Sequence, residues 1–221
     1  MNEVDHLVVA AATLEQGAQW CERVLAATPT AGGKHAGMGT HNRLLAVGST
    51  AFPQAYLEII AHDPDAPAPA RPRWFGLDDA ALLLRLRERP RLLHVVARGT
   101  HIETTLEALR VLGLDAGQPV AAERASAHGV FRWRIAGRSD GRLLCGGALP
   151  TLIEWQGMHP AQHLPASGVA LRALHLGDFG GLSAPVAAAL ALQGVPCSAD
   201  GAALQAEFDT PRGMVRLSSE H

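Results

Sequence analysis

The sequence predicts an α+β fold built from repeated βαβββ modules, and two segments support this prediction. Residues 4–10 are apolar and β-branched, and they lead directly into the Thr-x-x-Gln capping box of residues 13–16. Residues 92–112 repeat the same order, with a Thr-x-x-Glu box at residues 100–103. A strand that passes into a helix therefore opens two successive segments of the chain.

The later part of each segment predicts the remaining strands. One strand is expected directly after each helix, and a two-stranded hairpin should follow it. In the first segment these strands are residues 29–36, 44–48 and 56–59. In the second segment they are residues 130–135, 143–147 and 152–155. Each segment is thus expected to be a complete βαβββ module.

A shorter third copy is predicted at the C-terminus. Residues 169–176 resemble a strand, a helix should begin at Ser183, and residues 203–208 and 214–218 should close a hairpin. A stretch of alternating Pro and Ala between the first two copies predicts an extended connector, followed by an extra helix. The predicted units are a first module at 1–62, a connector at 63–90, a second module at 91–157 and a partial third module at 158–221.

The composition excludes several classes of protein. Hydrophobic residues make up 48% of the chain and charged residues 18%, which is typical of a globular protein. The net charge is −2 and no basic cluster is present, so neither nucleic acid nor an anionic membrane is an expected partner. The N-terminal residues lack the features of a signal peptide, which predicts a cytoplasmic protein. The three cysteines are far apart and are expected to be packed thiols.

Superimposing the repeats predicts a group of four functional side chains. His6 and His94 fall at the same place in the first strand, and Glu58 and Glu154 at the same place in the last strand. A single strand histidine is more often a packing residue than a metal ligand. A glutamate buried in an apolar strand without partners would cost several kcal/mol, although strand alternation could instead point it to solvent. The coincidence of all four residues favours a metal site.

These residues carry a resemblance to a known superfamily. The motifs are Asp5-His6-Leu7, Tyr56-Leu57-Glu58-Ile59-Ile60, Leu93-His94-Val95-Val96 and Leu152-Ile153-Glu154-Trp155. They resemble the vicinal-oxygen-chelate superfamily, which includes glyoxalase I, extradiol dioxygenases and bleomycin-resistance proteins. The resemblance implies a cupped mixed sheet around one divalent metal held by His6, Glu58, His94 and Glu154. Imidazole and carboxylate ligands suit Zn, Ni, Co, Mn or Fe.

The resemblance implies a metal-dependent enzyme that acts on a small substrate with vicinal oxygens. Lyase, isomerase and dioxygenase chemistry all remain open, with Glu58 or Glu154 as a catalytic base. One alternative is a protein of the bleomycin-resistance type, which binds a small molecule without catalysis. Another is an interaction module with a vestigial metal site. A homodimer is a common outcome for the superfamily.

Further residues are candidates for contact with the substrate. The glycine-rich loop of residues 33–43 resembles a Gly-x-His-x-Gly-x-Gly-Thr-x-Asn stretch of the glyoxalase-like group, which implies roles for His35, Thr40, Asn42 and Arg43. The alternative is that its glycines only turn the chain into the next strand. Trp74 and Trp155 could form the walls of an apolar pocket, although core packing is an equally good explanation.

Overall fold

The structure is a computed structural model that describes residues 1–219, and its two main parts are βαβββ modules. The elements of the first module are β1 (Glu3–Ala10), α1 (Leu14–Leu25), β2 (Thr30–His35), β3 (Thr40–Ala46) and β4 (Tyr56–His62). The connector carries α2 (Ala80–Glu88), as predicted. The elements of the second module are β5 (Arg91–Arg98), α3 (Ile102–Val111), β6 (Gln118–Ser126), β7 (Gly129–Gly137) and β8 (Thr151–Trp155).

The two modules share one curved, mixed sheet of eight strands. Its order is β2-β3-β4-β1-β5-β8-β7-β6, and the antiparallel pair β1–β5 joins the modules at the centre. Within each module the first and last strands are parallel, as β1 with β4 and β5 with β8. The edge strands β2 and β6 approach each other, so the sheet is almost closed into a cup. The predicted α+β fold of tandem modules is confirmed.

The two predicted capping boxes differ in outcome. At the start of α1 the side chain of Thr13 accepts a hydrogen bond from the Gln16 amide, and the Gln16 side chain accepts one from the Ala12 amide. At the start of α3 the N-cap is His101, and its side chain makes no capping hydrogen bond. Glu103 instead forms an ion pair with Arg134, so the second capping box was a wrong prediction.

One predicted strand of the second module was also wrong. Residues 143–147 contain a short 3-10 turn, in which Cys145, Gly146 and Gly147 all have positive φ. Left-handed backbone at three successive residues is incompatible with an extended strand. The strand that completes the module is β6, which lies earlier at the edge of the sheet. Its side chains are mostly exposed, so its sequence lacks the apolar signal of a buried strand.

The two faces of the sheet have different roles. One face packs against α1 and α3 in the main core, where Leu7, Leu57 and Ile102 are completely buried. The other face forms the inside of the cup and carries a smaller apolar cluster that includes Val8, Ile60 and Phe131. Because successive side chains of a strand point to opposite faces, alternate residues reach the cup.

The C-terminal part forms the predicted partial module. Its elements are β9 (Ala170–Leu176), α4 (Ser183–Leu190), β10 (Leu204–Thr210) and β11 (Gly213–Ser218), and the three strands form a separate sheet. Its apolar side chains belong to the same core as the helix-covered face of the large sheet. Residues 220–221 of the predicted module lie outside the described residues. Within residues 1–219, no helix has both the length and the apolar character that a membrane span requires.

Candidate active site

The floor of the cup holds a buried histidine between two carboxylates. His6 lies on β1, and its Nδ1 is 2.6 Å from Oδ1 of Asp5. Its Nε2 is 3.5 Å from Oε2 of Glu58 on β4. All three side chains are buried. Burial opposes the charge on the imidazole, but the hydrogen bonds with the two carboxylates raise the pKa of His6 to about 9.

Asp5 is the anchor of this arrangement. The pairing of β1 with β5 shifts in register between Val4 and His6, which leaves Asp5 without a partner in the ladder, as in a β-bulge. Its carboxylate accepts hydrogen bonds from Trp155 Nε1 at 2.8 Å and lies 2.9 Å from His159 Nε2. Although burial opposes the charge, the hydrogen bonds with His159 and His6 hold the pKa of Asp5 well below its usual range. Asp5 is therefore a buried anion that orients His6.

Glu58 is held by Asn42 of β3 and lies near His35 at the end of β2. Asn42 Nδ2 donates a hydrogen bond to Oε1 of Glu58 at 2.6 Å. His35 Nδ1 lies 3.1 Å from the hydroxyl of Thr40, and its Nε2 is 4.0 Å from Oε1 of Glu58. Burial opposes the charge of Glu58, but His6 and Asn42 lower its pKa to about 2. Burial lowers the pKa of His35 to about 4, so this histidine is neutral.

His94 lies on β5 on the same side of the sheet, but its ring is already occupied. Its Nδ1 donates to the carbonyl oxygen of Gly147 at 2.8 Å. Its Nε2 accepts from the Thr151 amide at 3.2 Å and lies 2.9 Å from the Thr151 hydroxyl. Burial lowers the pKa of His94 to about 4, which agrees with an imidazole that accepts at Nε2.

The strand register shows why Glu154 is absent from the cup. Val8, two residues after His6, pairs with Glu58 in the first module. Val96, two residues after His94, pairs with Thr151 in the second. The structural counterpart of Glu58 is therefore Thr151. Glu154 is three residues further on and so lies on the opposite face.

The side chains of Glu154 and Arg43 both lie outside the cup. Oε2 of Glu154 is 2.9 Å from Arg134 Nη1. Arg43 pairs on the sheet with Ile59, which belongs to the core of the helix-covered face, and its buried Nε has no partner among the described residues. Of the predicted site residues, the structure brings eight together on the cup side, namely His6, His35, Thr40, Asn42, Glu58, Trp74, His94 and Trp155.

These side chains do not fit the four-ligand metal centre implied by the superfamily. His6 and Glu58 offer two donor atoms 3.5 Å apart, but the second carboxylate faces away and His94 is bonded to Thr151. Within residues 1–219, no three His, Cys, Asp or Glu side chains are arranged to hold a metal ion. The donor set in this arrangement is one imidazole and one carboxylate.

An open cavity of about 490 Å³ adjoins this floor. A smaller recess of about 40 Å³ contacts His6, Tyr56 and Glu58, and the two share Trp74 and Arg124 in their walls. Apolar walls with a few convergent polar groups, at this volume, are typical of sites for small molecules. The buried array is therefore placed at the end of a ligand-sized cup.

Several residues of the site were not assigned a role from the sequence. Asp5 and Tyr56 stood in the quoted motifs without a role, and Tyr56 stacks on His6 with ring centroids 4.7 Å apart. His159 was not among the predicted site residues. An acidic residue within the apolar run of residues 4–10 was a signal for Asp5, because a buried carboxylate requires partners. His159 had no comparable signal, since only the tertiary fold brings it to β1.

Comparison with protein families and curated proteins gives one match. The model of a family described as a glyoxalase-like domain matches residues 4–178, which is well over half of the chain. No curated protein matches the sequence.

One solved structure shows the same fold at low identity, and two methylmalonyl-CoA epimerases are similar to part of this chain. A hypothetical protein from Staphylococcus aureus has 11% identity and a TM-score of 0.58, and the match covers 99% of this chain and 86% of that one. A methylmalonyl-CoA epimerase from Streptomyces coelicolor, in complex with 2-nitronate-propionyl-CoA, has 14% identity and a TM-score of 0.43, with 71% and 96% covered. The epimerase from Mycobacterium tuberculosis has 16% identity and a TM-score of 0.37, with 69% and 85% covered.

Proposed function

This chain belongs to the glyoxalase-like domain family, and from that premise we propose that it is an enzyme that moves a proton on a small substrate with adjacent oxygens. The observation that carries the proposal is the buried His6 between Asp5 and Glu58 at the floor of the cup. Buried groups with strongly shifted pKa values, placed in a ligand-sized cavity, are typical of acid–base sites.

The chemistry follows from the charges of the two groups that face the cavity. Glu58 is an anion and can accept a proton from a carbon next to a carbonyl group. The C–H electron pair then forms a carbon–carbon double bond, and the π pair of the carbonyl group moves onto its oxygen to give an enolate. His6 carries a proton on Nε2 because its pKa is raised to about 9, and it can donate a hydrogen bond to that oxygen. Delivery of that proton from Glu58 to the former carbonyl carbon, with transfer of the hydroxyl proton between the two adjacent oxygens, completes the isomerisation of a hydroxycarbonyl compound.

Two other residues assist this chemistry. Asp5 fixes the ring of His6 and stabilises its positive charge at Nδ1. Asn42 holds one oxygen of Glu58, so the other oxygen stays near His6. When His6 turns its hydrogen bond to the substrate oxygen, Glu58 loses part of the interaction that lowers its pKa and becomes a stronger base.

The test is exchange of substrate hydrogen for deuterium in D₂O, followed by proton NMR, over a panel of hydroxycarbonyl and dicarbonyl compounds. Glu58→Gln should slow the exchange by about 100-fold or more, because the amide cannot accept the proton. Glu154→Gln is the matched control and should leave the rate unchanged, since Glu154 lies on the other face. Equal exchange rates in Glu58→Gln and the unmodified protein would contradict the proposal. Binding without any exchange would favour the non-catalytic, bleomycin-resistance type of protein.

A second candidate is the metal-dependent form of this enzyme, with lyase, isomerase or dioxygenase chemistry. It is favoured by the Nδ1 contacts of His6 and His94, because metal-binding histidines commonly donate their other ring nitrogen to a carboxylate or carbonyl oxygen. His6, Glu58 and His94 would hold the ion once the His94 side chain had broken its hydrogen bonds with Thr151. Bound Zn, Ni, Co, Mn or Fe would supply a Lewis acid.

Elemental analysis by mass spectrometry separates the two candidates. One equivalent of metal in the purified protein, lost in His94→Ala and kept in Glu154→Gln, would support the metal-dependent form. Exchange activity that persists after dialysis against a chelator would support proton transfer by the protein alone.

Assembly and location are also proposals. Both halves of the cup come from one chain, so the site is complete within a single subunit. We retain a homodimer and a cytoplasmic location as proposals, and the expected partner is a small molecule. Analytical ultracentrifugation tests the dimer.

A further inference from the structure

The mouth of the cup carries an excess of positive charge. Five basic side chains line the large cavity, against the single carboxylate of Glu123, and they are Lys34, Arg71, Arg124, Arg138 and Arg142. Lys34 and Arg138 form ion pairs with aspartates, and Glu123 pairs with Arg132. Among the described residues, the guanidinium groups of Arg71, Arg124 and Arg142 have no acidic partner within ion-pair distance.

Arg124 is the arginine that lies nearest to the residues of the floor. It lies on β6, at one edge of the sheet, and its guanidinium reaches across the gap to Gly33 on β2 at the other edge. A Cβ on Gly33 would come within 2.5 Å of Nη1, so the glycine provides the space for this side chain. Nη1 is also 3.4 Å from Oδ1 of Asn42, which holds Glu58. Arg124 thus stands between the open mouth and the floor.

A second observation concerns Trp74 in the connector. Its indole Nε1 is buried and has no hydrogen-bond partner among the described residues. A buried N–H without a partner costs free energy, and such a group is normally satisfied by water or a ligand. Trp74 lines both the large cavity and the recess above His6. The cup therefore offers an unpaired neutral donor close to the cationic mouth.

We propose that the cup binds a substrate with a multiply charged oxyanion group, a phosphate or a carboxylate cluster, held at the mouth by Arg124, Arg71 and Arg142. The anions Asp5 and Glu58 at the floor repel such a group, and the arginines attract it. The ligand is therefore oriented with its anionic end outward and its reacting carbon toward Glu58. Guanidinium groups suit this role because they bind oxyanions through paired N–H donors. Oxyanion binding at the mouth is independent of the proposed function, and only the assignment of the floor as the reacting end rests on it.

The experiment uses isothermal titration calorimetry of the full chain with two probes, pyrophosphate and citrate. Arg124→Gln should weaken binding of the preferred probe about tenfold, since a charge-assisted hydrogen bond is lost. Arg172→Gln is the matched control, because it removes the same charge from an exposed position on β9 that lines neither the cavity nor the recess, and it should leave the affinity unchanged. Trp74→Phe should weaken binding about threefold if the indole N–H contacts the ligand. The preferred probe identifies the phosphate or carboxylate chemistry.

Two results would overturn this inference. One is the absence of heat of binding for both probes at millimolar concentration, and the other is an equal loss of affinity in Arg124→Gln and Arg172→Gln. Either is distinguishable from failure of the proposed function, which is measured by deuterium exchange. Oxyanion binding without exchange would retain the mouth site and reject the proton transfer. Exchange of uncharged substrates without oxyanion binding would retain the proton transfer and reject the mouth site.

Discussion

At the scale of single residues, the site separates charged from neutral histidines by their partners. His6 is in contact with two carboxylates, so it stays protonated although it is buried, and its pKa rises to about 9. His94 is buried and His35 is partly buried, but neither lies within a short hydrogen bond of a carboxylate, and desolvation lowers their pKa to about 4. Three histidines in one cup therefore have two different charge states at neutral pH.

These shifts predict a pH dependence of stability in the metal-free protein. His6 is protonated more readily in the folded state, so its contribution is complete below pH 6.5 and is lost as the pH rises through about 9. His35 and His94 have lowered pKa values, so their contribution is present above pH 6.5 and is lost as the pH falls toward about 4. The melting temperature measured in EDTA should therefore be highest near pH 6.5.

Replacing His6 isolates the alkaline half of this profile. His6→Asn should remove a stabilisation of about 1–3 kcal/mol that disappears between pH 6.5 and 9. The difference in melting temperature from the unmodified protein should shrink over that range. His101→Asn, at an exposed position, serves as the control with a constant difference. A difference for His6→Asn that does not change with pH would refute the assigned charge.

At the scale of elements, the position of α1 on the sheet depends on one glycine. Gly17 is buried on the face of α1 that packs against β4. A Cβ at this position would overlap Cγ2 of Ile59 and come within 3.2 Å of the Ala11 side chain. Ile59 follows Glu58 on β4, so the close approach of the helix also supports the strand that carries the proposed base.

Gly17→Ala is therefore expected to destabilise the protein by about 1–3 kcal/mol through overpacking, although alanine is the better helix former. Urea denaturation followed by circular dichroism measures this change. Gly181→Ala is the control, because a Cβ there meets no atom within 4 Å and its φ is not positive. Equal stability of the two variants would show that α1 can move away from β4 at no cost.

At the scale of the whole molecule, the C-terminal module is part of the main core. Phe208 of β10 and Leu171 of β9 are completely buried in the cluster that also contains Leu57 and Val95 of the large sheet. The Leu171 amide donates to the carbonyl oxygen of Val47 at 2.7 Å. The three modules should therefore unfold together.

Tryptophan fluorescence can test this coupling, because all four tryptophans precede residue 158. Phe208→Ala should lower the stability by about 3–5 kcal/mol and shift the fluorescence transition to lower urea concentration. Met214→Ala is the control on the neighbouring strand, since Met214 is 55% exposed. An unshifted fluorescence transition in Phe208→Ala would indicate an independent C-terminal domain.

The sequence alone determined the tandem modules, because apolar runs, turn residues and the repeated order of strand and helix are local signals. It also placed His6 and His94 at equivalent positions, and the register of β1 with β5 confirms this equivalence. Strand β6 was not predicted, because an exposed edge strand has little apolar pattern. Residues 143–147 were wrongly predicted as a strand, because their apolar residues lie in a turn.

Only the tertiary structure decided which carboxylates reach the cup. Side chains of a strand alternate between faces, so the point at which β8 pairs with β5 determines that Thr151, and not Glu154, faces the cup and contacts His94. The same holds for Asp5, whose partners Trp155 and His159 come from β8 and from the segment that follows it. Pairing register and long-range contacts depend on the packing of the entire chain, and a local pattern of residues contains neither.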